Sequence, residues 1–177
     1  VLFRSSDRLV ALPIIEGLAE IDLLLGNYDD AAVHLKEALR LTHLPTERAA
    51  VKQQMGELAF KRGQFTQAAS EYEEALKLTG VRLPTNFGTM ILSLVVQGAI
   101  QAFHTYPPTC FVGRKGPPSP LDCLRWRLMS RLSHVYWFSR DKLWTLANHL
   151  RSLNLAERFE PSEILAAVYS EHGPVMS

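Results

Sequence analysis

The stretches that decide the fold are GNYDDAAVHLKEALRL, residues 26–41, and GQFTQAASEYEEALKL, residues 63–78. Both begin with glycine, carry an aromatic residue two positions later, and have alanine at the sixth position and again seven residues on. The two stretches begin 37 residues apart, so the sequence predicts the same local structure twice. A glycine followed by apolar residues at spacings of three and four predicts a tight turn that leads into a helix.

Helical spacing of apolar residues also precedes each glycine. Leu12 and Leu18 trace a first helix that we expect to end at Gly26. A third helix begins near Thr46, whose hydroxyl can cap the first N–H groups, and ends at Gly63. Period-two alternation, which would indicate a strand, is not sustained anywhere in the sequence. We therefore predict an all-α chain that starts with two antiparallel helix pairs.

The small residues of these pairs fall where two helices would cross. Helices that pack about 8–10 Å apart need small side chains at the point of closest approach. An aromatic residue just after each glycine would fill the space beside the turn. The residues that we assign to this packing are Ala19, Gly26, Tyr28, Ala31, Ala38, Gly56, Gly63, Phe65, Ala68 and Ala75.

A helix pair that is joined by a glycine turn and repeated at about 34 residues is typical of tetratricopeptide repeats, and the chain resembles that family at these positions. The spacing here is three residues longer, and we place the extra residues in the loop THLPTE, residues 42–47. The resemblance implies antiparallel helical hairpins stacked as a right-handed solenoid, a fold that binds proteins through its concave surface.

Composition divides the chain into five parts. It begins with Val1 rather than Met, so we expect an internal fragment of a larger protein. The segment YPPTCFVGRKGPPSP, residues 106–120, holds five prolines, and we expect it to be mobile because prolines deny the backbone a hydrogen-bonded ladder. We predict a non-native or linker start at 1–9, two hairpins at 10–80, a long buried helix at 81–105, a Pro-rich loop at 106–119 and degenerate helical repeats, truncated at the C-terminus, at 120–177.

The segment FGTMILSLVVQGAIQAF, residues 87–103, contains no charged residue. A membrane-spanning helix needs about 20 apolar residues, and Ser93, Gln97, Gly98 and Gln101 interrupt this run. We therefore expect a helix that neighbours bury on most sides rather than a membrane span. Beyond the prolines, Ser119, Asp141 and Ser162 are the residues that we expect to cap three further helices.

The second half also resembles the C-terminal helical-repeat region of large multidomain signalling ATPases. The resemblance rests on GVRLP, residues 80–84, on the uncharged helix, and on LMSRLSHVYWFSRDKLWTLANHLRSLNLAER, residues 128–158. Proteins of that class often carry a nucleotide cyclase or Ser/Thr kinase domain as well. The resemblance implies a parent protein with ATPase activity, and it gives this fragment none.

Motifs for catalysis or cofactor binding are weak in this sequence. GRKG, residues 113–116, lacks the spacing of a phosphate-binding loop. None of the six histidines is paired with another at i, i+4 beside a carboxylate, so we expect no metal and read them as capped or solvent-facing. Cys110 and Cys123 form no metal or disulfide framework, and we expect reduced thiols. We predict no cofactor.

The concave surface of a repeat array is lined by the first helix of each pair. The residues that we place there are Glu16, Glu20, Leu23 and Leu24 from the first pair and Gln53, Glu57, Phe60 and Lys61 from the second. Three carboxylates on one face attract Lys- or Arg-bearing segments. We therefore expect a protein or peptide partner, of which a basic amphipathic segment or another domain of the parent chain are the candidates. The net charge of +1 indicates no attraction to nucleic acid or anionic membranes.

The function that follows is a non-enzymatic, cytoplasmic scaffold for protein–protein or interdomain interactions within a larger signalling ATPase-type protein. Two alternatives remain open at this point. The helices could act purely as an intramolecular sensor arm that packs on its own ATPase module. The chain could instead be a small helical enzyme or ligand-binding domain with a pocket among Trp126, His134 and Trp137, although the spacing of the three tryptophans suits a core better.

Overall fold

The computed structural model describes residues 5–106, 113, 115–161 and 163–176, with the backbone alone for residues 5–7, 9, 164 and 171–176. Within these ranges the chain is all-helical, with eight helices and no strand. The chain divides into two compact units that meet at Gly80 and Val81. Two expectations, for Cys110 and for Ser162 as a cap, lie outside the described residues, as do residues 107–112 and Arg114 of the Pro-rich segment.

The first unit consists of two antiparallel helical hairpins. Its helices are α1 Ser5–Leu25, α2 Tyr28–Leu41, α3 Pro45–Lys61 and α4 Phe65–Leu78. The helices α1 and α2 form the first hairpin, α3 and α4 form the second, and α2 also packs against α3. Because α1 begins at Ser5, residues 5–9 of the expected linker are helical. Arg8 bonds the Leu41 carbonyl oxygen at 2.8 Å and the Glu47 carboxylate at 3.3 Å.

The two hairpins turn in the same way. Gly26 and Gly63 have φ of +82° and +73°, a left-handed conformation that glycine adopts without steric cost. After each glycine the next N–H donates to the carbonyl five residues back, from Asn27 to Asp22 at 2.9 Å and from Gln64 to Ala59 at 2.8 Å. Both α2 and α4 then begin two residues after the glycine and run for 14 residues. The prediction of equivalent turns is confirmed.

The small residues lie at the crossings, as the sequence pattern predicts. Gly56 on α3 faces the Tyr72 ring on α4, and a Cβ atom added to Gly56 would lie 2.8 Å from that ring. Closer to the Gly63 turn, the Phe65 ring packs edge to face against the Phe60 ring, with 5.5 Å between ring centroids. All five alanines predicted for the packing are 0% exposed: Ala19, Ala31, Ala38, Ala68 and Ala75.

The second unit is built around one central helix. Its helices are α5 Phe87–Thr105, α6 Pro120–Ser139, α7 Lys142–Ala156 and α8 Glu163–Met176. The helix α7 packs against α5, α6 and α8. Ser119 accepts a hydrogen bond from the Asp122 N–H with Pro120 as the first helical residue, and Asp141 accepts from the N–H groups of Leu143 and Trp144. The caps predicted for α6 and α7 are confirmed.

The prediction that the uncharged helix is buried on most sides is wrong. In α5 only Met90 and His104 are buried, while apolar side chains such as Leu92, Val95 and Phe103 are each more than 60% exposed. The physical reason is that α5 packs along one helix, α7, which can cover only one side of it. By length and composition α5 could cross a membrane, and it is the one such helix in the part of the chain that the structure describes.

The expected lack of backbone pairing in the Pro-rich segment is wrong at Gly113 and Lys115, in the middle of the segment. The Gly113 N–H donates to the Glu157 carbonyl oxygen at 2.9 Å, and the Lys115 N–H donates to that of Arg158 at 2.8 Å. The Glu160 N–H returns a bond of 3.1 Å to the Lys115 carbonyl oxygen. These residues follow Pro108 and precede Pro117, so their amide groups are intact and can pair.

Candidate functional site

The helix α1 carries an exposed apolar surface, which we call the α1 outer face. It consists of Val10, Ile14, Leu18, Ile21, Leu24 and Leu25. Five of these residues recur at spacings of four, four, three and four, so they form a continuous stripe along the helix. Their exposed fractions run from 43% at Leu18 to 76% at Leu24. Six large apolar side chains on one helix are more than scattered surface hydrophobics, and a patch of this kind marks an interaction site.

The opposite side of α1 faces the core of the unit. Leu12, Ala19 and Leu23 are at most 8% exposed and pack in one cluster with residues of α2 and α3. The helix is therefore apolar on both sides, although its own unit covers only one. The α1 outer face is therefore an apolar surface that no other helix described in its own unit covers.

The carboxylates predicted for the concave face have different surroundings. Glu20 is exposed, while Glu16 is half-buried. Burial raises the pKa of the Glu16 carboxyl, and repulsion from Glu47 raises it further. On α3, the Glu57 carboxylate accepts a hydrogen bond of 3.2 Å from the Tyr72 hydroxyl. Glu16 follows the buried Leu12 by four residues and precedes the buried Ala19 by three, so it lies on the core-facing side of α1, while Glu20 is exposed one turn before Leu24.

Seven of the eight residues predicted for the groove reach solvent. Glu20, Leu24 and Lys61 are exposed. Those that are half-buried are Glu16, Gln53, Glu57 and Phe60. Leu23 is a correction, since it is only 5% exposed and belongs to the core. It follows the fully buried Ala19 by one helical turn, and residues four apart share a face.

Sequence reasoning does not find the α1 outer face, because it uses Leu12 and Leu18 only to trace the helix and places Leu23 and Leu24 in the groove. The spacing of Ile14, Leu18 and Ile21 fits helical periodicity as well as that of Leu12, Ala19 and Leu23 does. Periodicity shows that a helix has two apolar sides, but it does not show which side has a neighbour. The signal that could have found the face is the second apolar stripe, Val10, Ile14, Leu18, Ile21 and Leu25, which recurs at helical spacing opposite Leu12, Ala19 and Leu23.

A buried polar cluster holds the second unit together. Glu157, at the end of α7, is 3% exposed and its carboxylate accepts bonds from three side chains. His104 Nδ1 lies 2.5 Å from Glu157 Oε2, and Gln101 and the Tyr169 hydroxyl donate to Oε1 at 3.2 and 2.9 Å. The reading of every histidine as capped or solvent-facing is therefore wrong for His104. Its partner, Glu157, lies 53 residues away in the sequence, so the spacing of nearby residues could not indicate this contact.

The chemistry of this cluster is that of a structural clamp. Gln101 and His104 belong to α5, and Tyr169 belongs to α8, so one carboxylate joins three helices. Burial, together with the hydrogen bond to Glu157, raises the pKa of Tyr169 to about 12. The tyrosine therefore remains a hydrogen-bond donor throughout the neutral range. A buried carboxylate is stable when its lone pairs are satisfied in this way.

The structure places Trp126, His134 and Trp137 in different surroundings. Trp126 is half-buried beside Leu153 and its neighbours. His134 bonds the Ser130 carbonyl oxygen of its own helix at 3.0 Å, and Trp137 is 48% exposed beneath the Lys142 ammonium group. The small cleft described in this unit has a volume of about 10 Å³ and touches none of the three.

The described ranges also bear on metal binding and on phosphate binding by the GRKG segment. No group of three or more His, Cys, Asp or Glu side chains is placed to hold a metal ion there. In the GRKG segment the Gly113 and Lys115 N–H groups already donate to carbonyl oxygens of residues 157 and 158. They are therefore not available to wrap a phosphate.

In comparisons with known proteins, no family model, no curated protein and no solved structure matches this chain.

Proposed function

We propose that the chain is a non-enzymatic scaffold of the tetratricopeptide-repeat kind, cytoplasmic and part of a larger signalling ATPase-type protein. Its hairpins stack in the right-handed sense of such repeats, and its first unit binds a protein segment. Equivalent glycine turns, fully buried crossing alanines and the Gly56–Tyr72 contact support the repeat assignment. The α1 outer face is the observation that carries the binding function.

The occupant that we propose for this face is a basic amphipathic helix. The apolar stripe of α1 offers residues at helical spacing to the apolar side of such a helix, the mode in which helices bind in grooves. Glu20, which is exposed, and Glu16 lie on the same helix as the stripe. Lys or Arg residues beside the partner's apolar side would meet the Glu20 carboxylate, which speeds encounter and fixes orientation.

The experiment measures binding of a synthetic helical peptide to the full chain. The peptide has Leu at i, i+3, i+4 and i+7 with Lys at the other positions. A comparison peptide has Glu in place of each Lys. We expect Ile21→Ser to weaken binding of the Lys peptide about tenfold, since Ile21 lies within the stripe, between Leu18 and Leu25. Val33→Ser is the matched control, because Val33 is 63% exposed on α2, outside the α1 outer face.

Two results would contradict the proposal. One is equal loss of affinity in Ile21→Ser and Val33→Ser, which would mean general hydrophobic adhesion. The other is equal binding of the Lys and Glu peptides, which would remove the charge preference. Circular dichroism spectra of both variants should match that of the native chain, because each replaced side chain is exposed.

A further inference from the structure

A cleft lies elsewhere in the first unit, where α2, α3 and the start of α4 meet. The cleft has a volume of about 180 Å³. Its floor is apolar and buried, formed by Leu35, Leu58 and Ala59. Ala32 and Met55 complete the apolar lining. The polar residues that line it come from α2, from the turn between α3 and α4, and from α4: Lys36, Arg62, Gln64 and Gln67.

The two cations at this cleft are open to a new partner. Lys36 makes no hydrogen bond or ion pair to any side chain in the ranges that the structure describes. The Arg62 guanidinium is 2.5 Å from the Asp29 carboxylate, but the Asp29 side chain is fully exposed at 102%. An exposed ion pair contributes little and exchanges readily. A bound anion could therefore take both cations at small cost.

Comparison of the two hairpins shows that the start of α4 lacks the acidic residues that stand at the start of α2. In the first hairpin, α2 carries Asp29 and Asp30 in its first turn. The equivalent residues of α4, 37 positions later, are Thr66 and Gln67, and its first turn holds no acidic residue. The Gln64 side chain makes no capping bond to the first N–H groups of α4. The start of α4 therefore adds positive potential to that of Lys36 and Arg62.

We propose that this cleft binds a carboxylate carried on an apolar side chain or chain end, from an acidic or C-terminal segment of a protein. The apolar floor contacts the hydrocarbon part, and Lys36 and Arg62 pair with the carboxylate. The volume is that of several water molecules, which is room for one side chain rather than for a cofactor. This site lies apart from the α1 outer face and does not depend on the function proposed for it.

The test uses the full chain and three short acetylated peptides, with backbone and methyl NMR as the readout. One peptide ends in leucine with a free carboxylate, the second is its C-terminal amide, and the third is the amide with an internal glutamate. Binding of the first peptide but not of the second identifies a chain terminus as the ligand. Binding of the third identifies an acidic side chain. In either case we expect the shifts to centre on Ala32, Met55 and Gln67.

Two variants and a control separate this site from general charge attraction. Lys36→Gln and Arg62→Gln should each weaken the binding peptide about tenfold, because each removes one charge-assisted hydrogen bond. Lys77→Gln removes an equal charge at the far end of α4 and should change affinity by less than about twofold. The proposal is overturned if neither carboxylate peptide binds, if the plain amide binds equally well, or if Lys36→Gln binds as tightly as the native chain.

Discussion

At the scale of single residues, the second hairpin depends most closely on Gly56. Its missing side chain leaves room for the Tyr72 ring, whose hydroxyl in turn bonds Glu57. The sequence made this contact predictable, because a small residue on α3 and an aromatic on α4 stand at repeat-equivalent positions to Ala19 and Leu35 on α1 and α2. The same reasoning failed at Leu23, where side-chain direction rather than residue type decides which face is covered.

Replacing Gly56 with alanine should destabilise the first unit by about 1–3 kcal/mol, because the new methyl group would lie 2.8 Å from the Tyr72 ring. Gly17→Ala is the control, since nothing lies within 4 Å of a Cβ added there. The control should instead stabilise the chain by up to about 1 kcal/mol, as alanine favours a helix over glycine. Urea unfolding measures both. Equal effects of the two variants would contradict the predicted crossing.

Glu16→Gln should stabilise the chain at neutral pH. The folded-state pKa of Glu16 is raised by burial and by Glu47, so its ionised form costs stability above that pKa. The cost disappears as the pH falls below the unfolded value of 4.5. We expect a gain of no more than about 1 kcal/mol at pH 7, since the group is partly solvated. Thermal melts at pH 7 and pH 3.5 check this, and an equal gain at both would contradict the assigned cause.

At the scale of helices, the sequence predicts where helices begin and end, but it does not predict which other helices pack against each of them. The glycine turns, Ser119 and Asp141 mark helix ends through local backbone chemistry, which a sequence carries directly. The exposure of α5 could not be predicted, because it depends on how many helices pack against it. The Glu157 clamp was equally hidden, since its partners come from α5 and α8.

The Glu157 clamp should be the main polar support of the second unit. Glu157→Ala would leave His104, Gln101 and Tyr169 without their buried acceptor, and we expect a loss of about 3 kcal/mol or more. Hydrogen exchange should then show faster opening of α5 and α8 than of α6. Glu160→Ala is the control, because residue 160 is exposed. A small or uniform effect of Glu157→Ala would contradict the clamp.

At the scale of the whole molecule, the chain is two units, each with its own core. The first unit, which ends at Gly80, buries its hairpins around Leu12, Leu35 and Val51, and the second packs around α7. Chains of this size with one apolar core commonly fold alone. This division at residue 80 agrees with the place where the repeat pattern ends in the sequence.

Residues 1–80 should therefore fold when produced alone. We expect a helical far-UV circular dichroism spectrum and one cooperative urea transition, because the hairpin crossings lie within this range. The Gly56→Ala change should lower the midpoint of that transition, as in the full chain. A broad transition without a helical baseline would show that the first unit needs the rest of the chain.

The proposed scaffold function is tested most directly by NMR titration of the full chain with the Lys-bearing amphipathic peptide. We predict that the largest shifts fall on Ile14, Leu18, Ile21 and Glu20, on the exposed side of α1. We also predict that affinity falls between about 50 and 500 mM salt, where the Debye length shortens to a few ångströms. Shifts confined to other helices, or no saturable binding at low salt, would contradict the account.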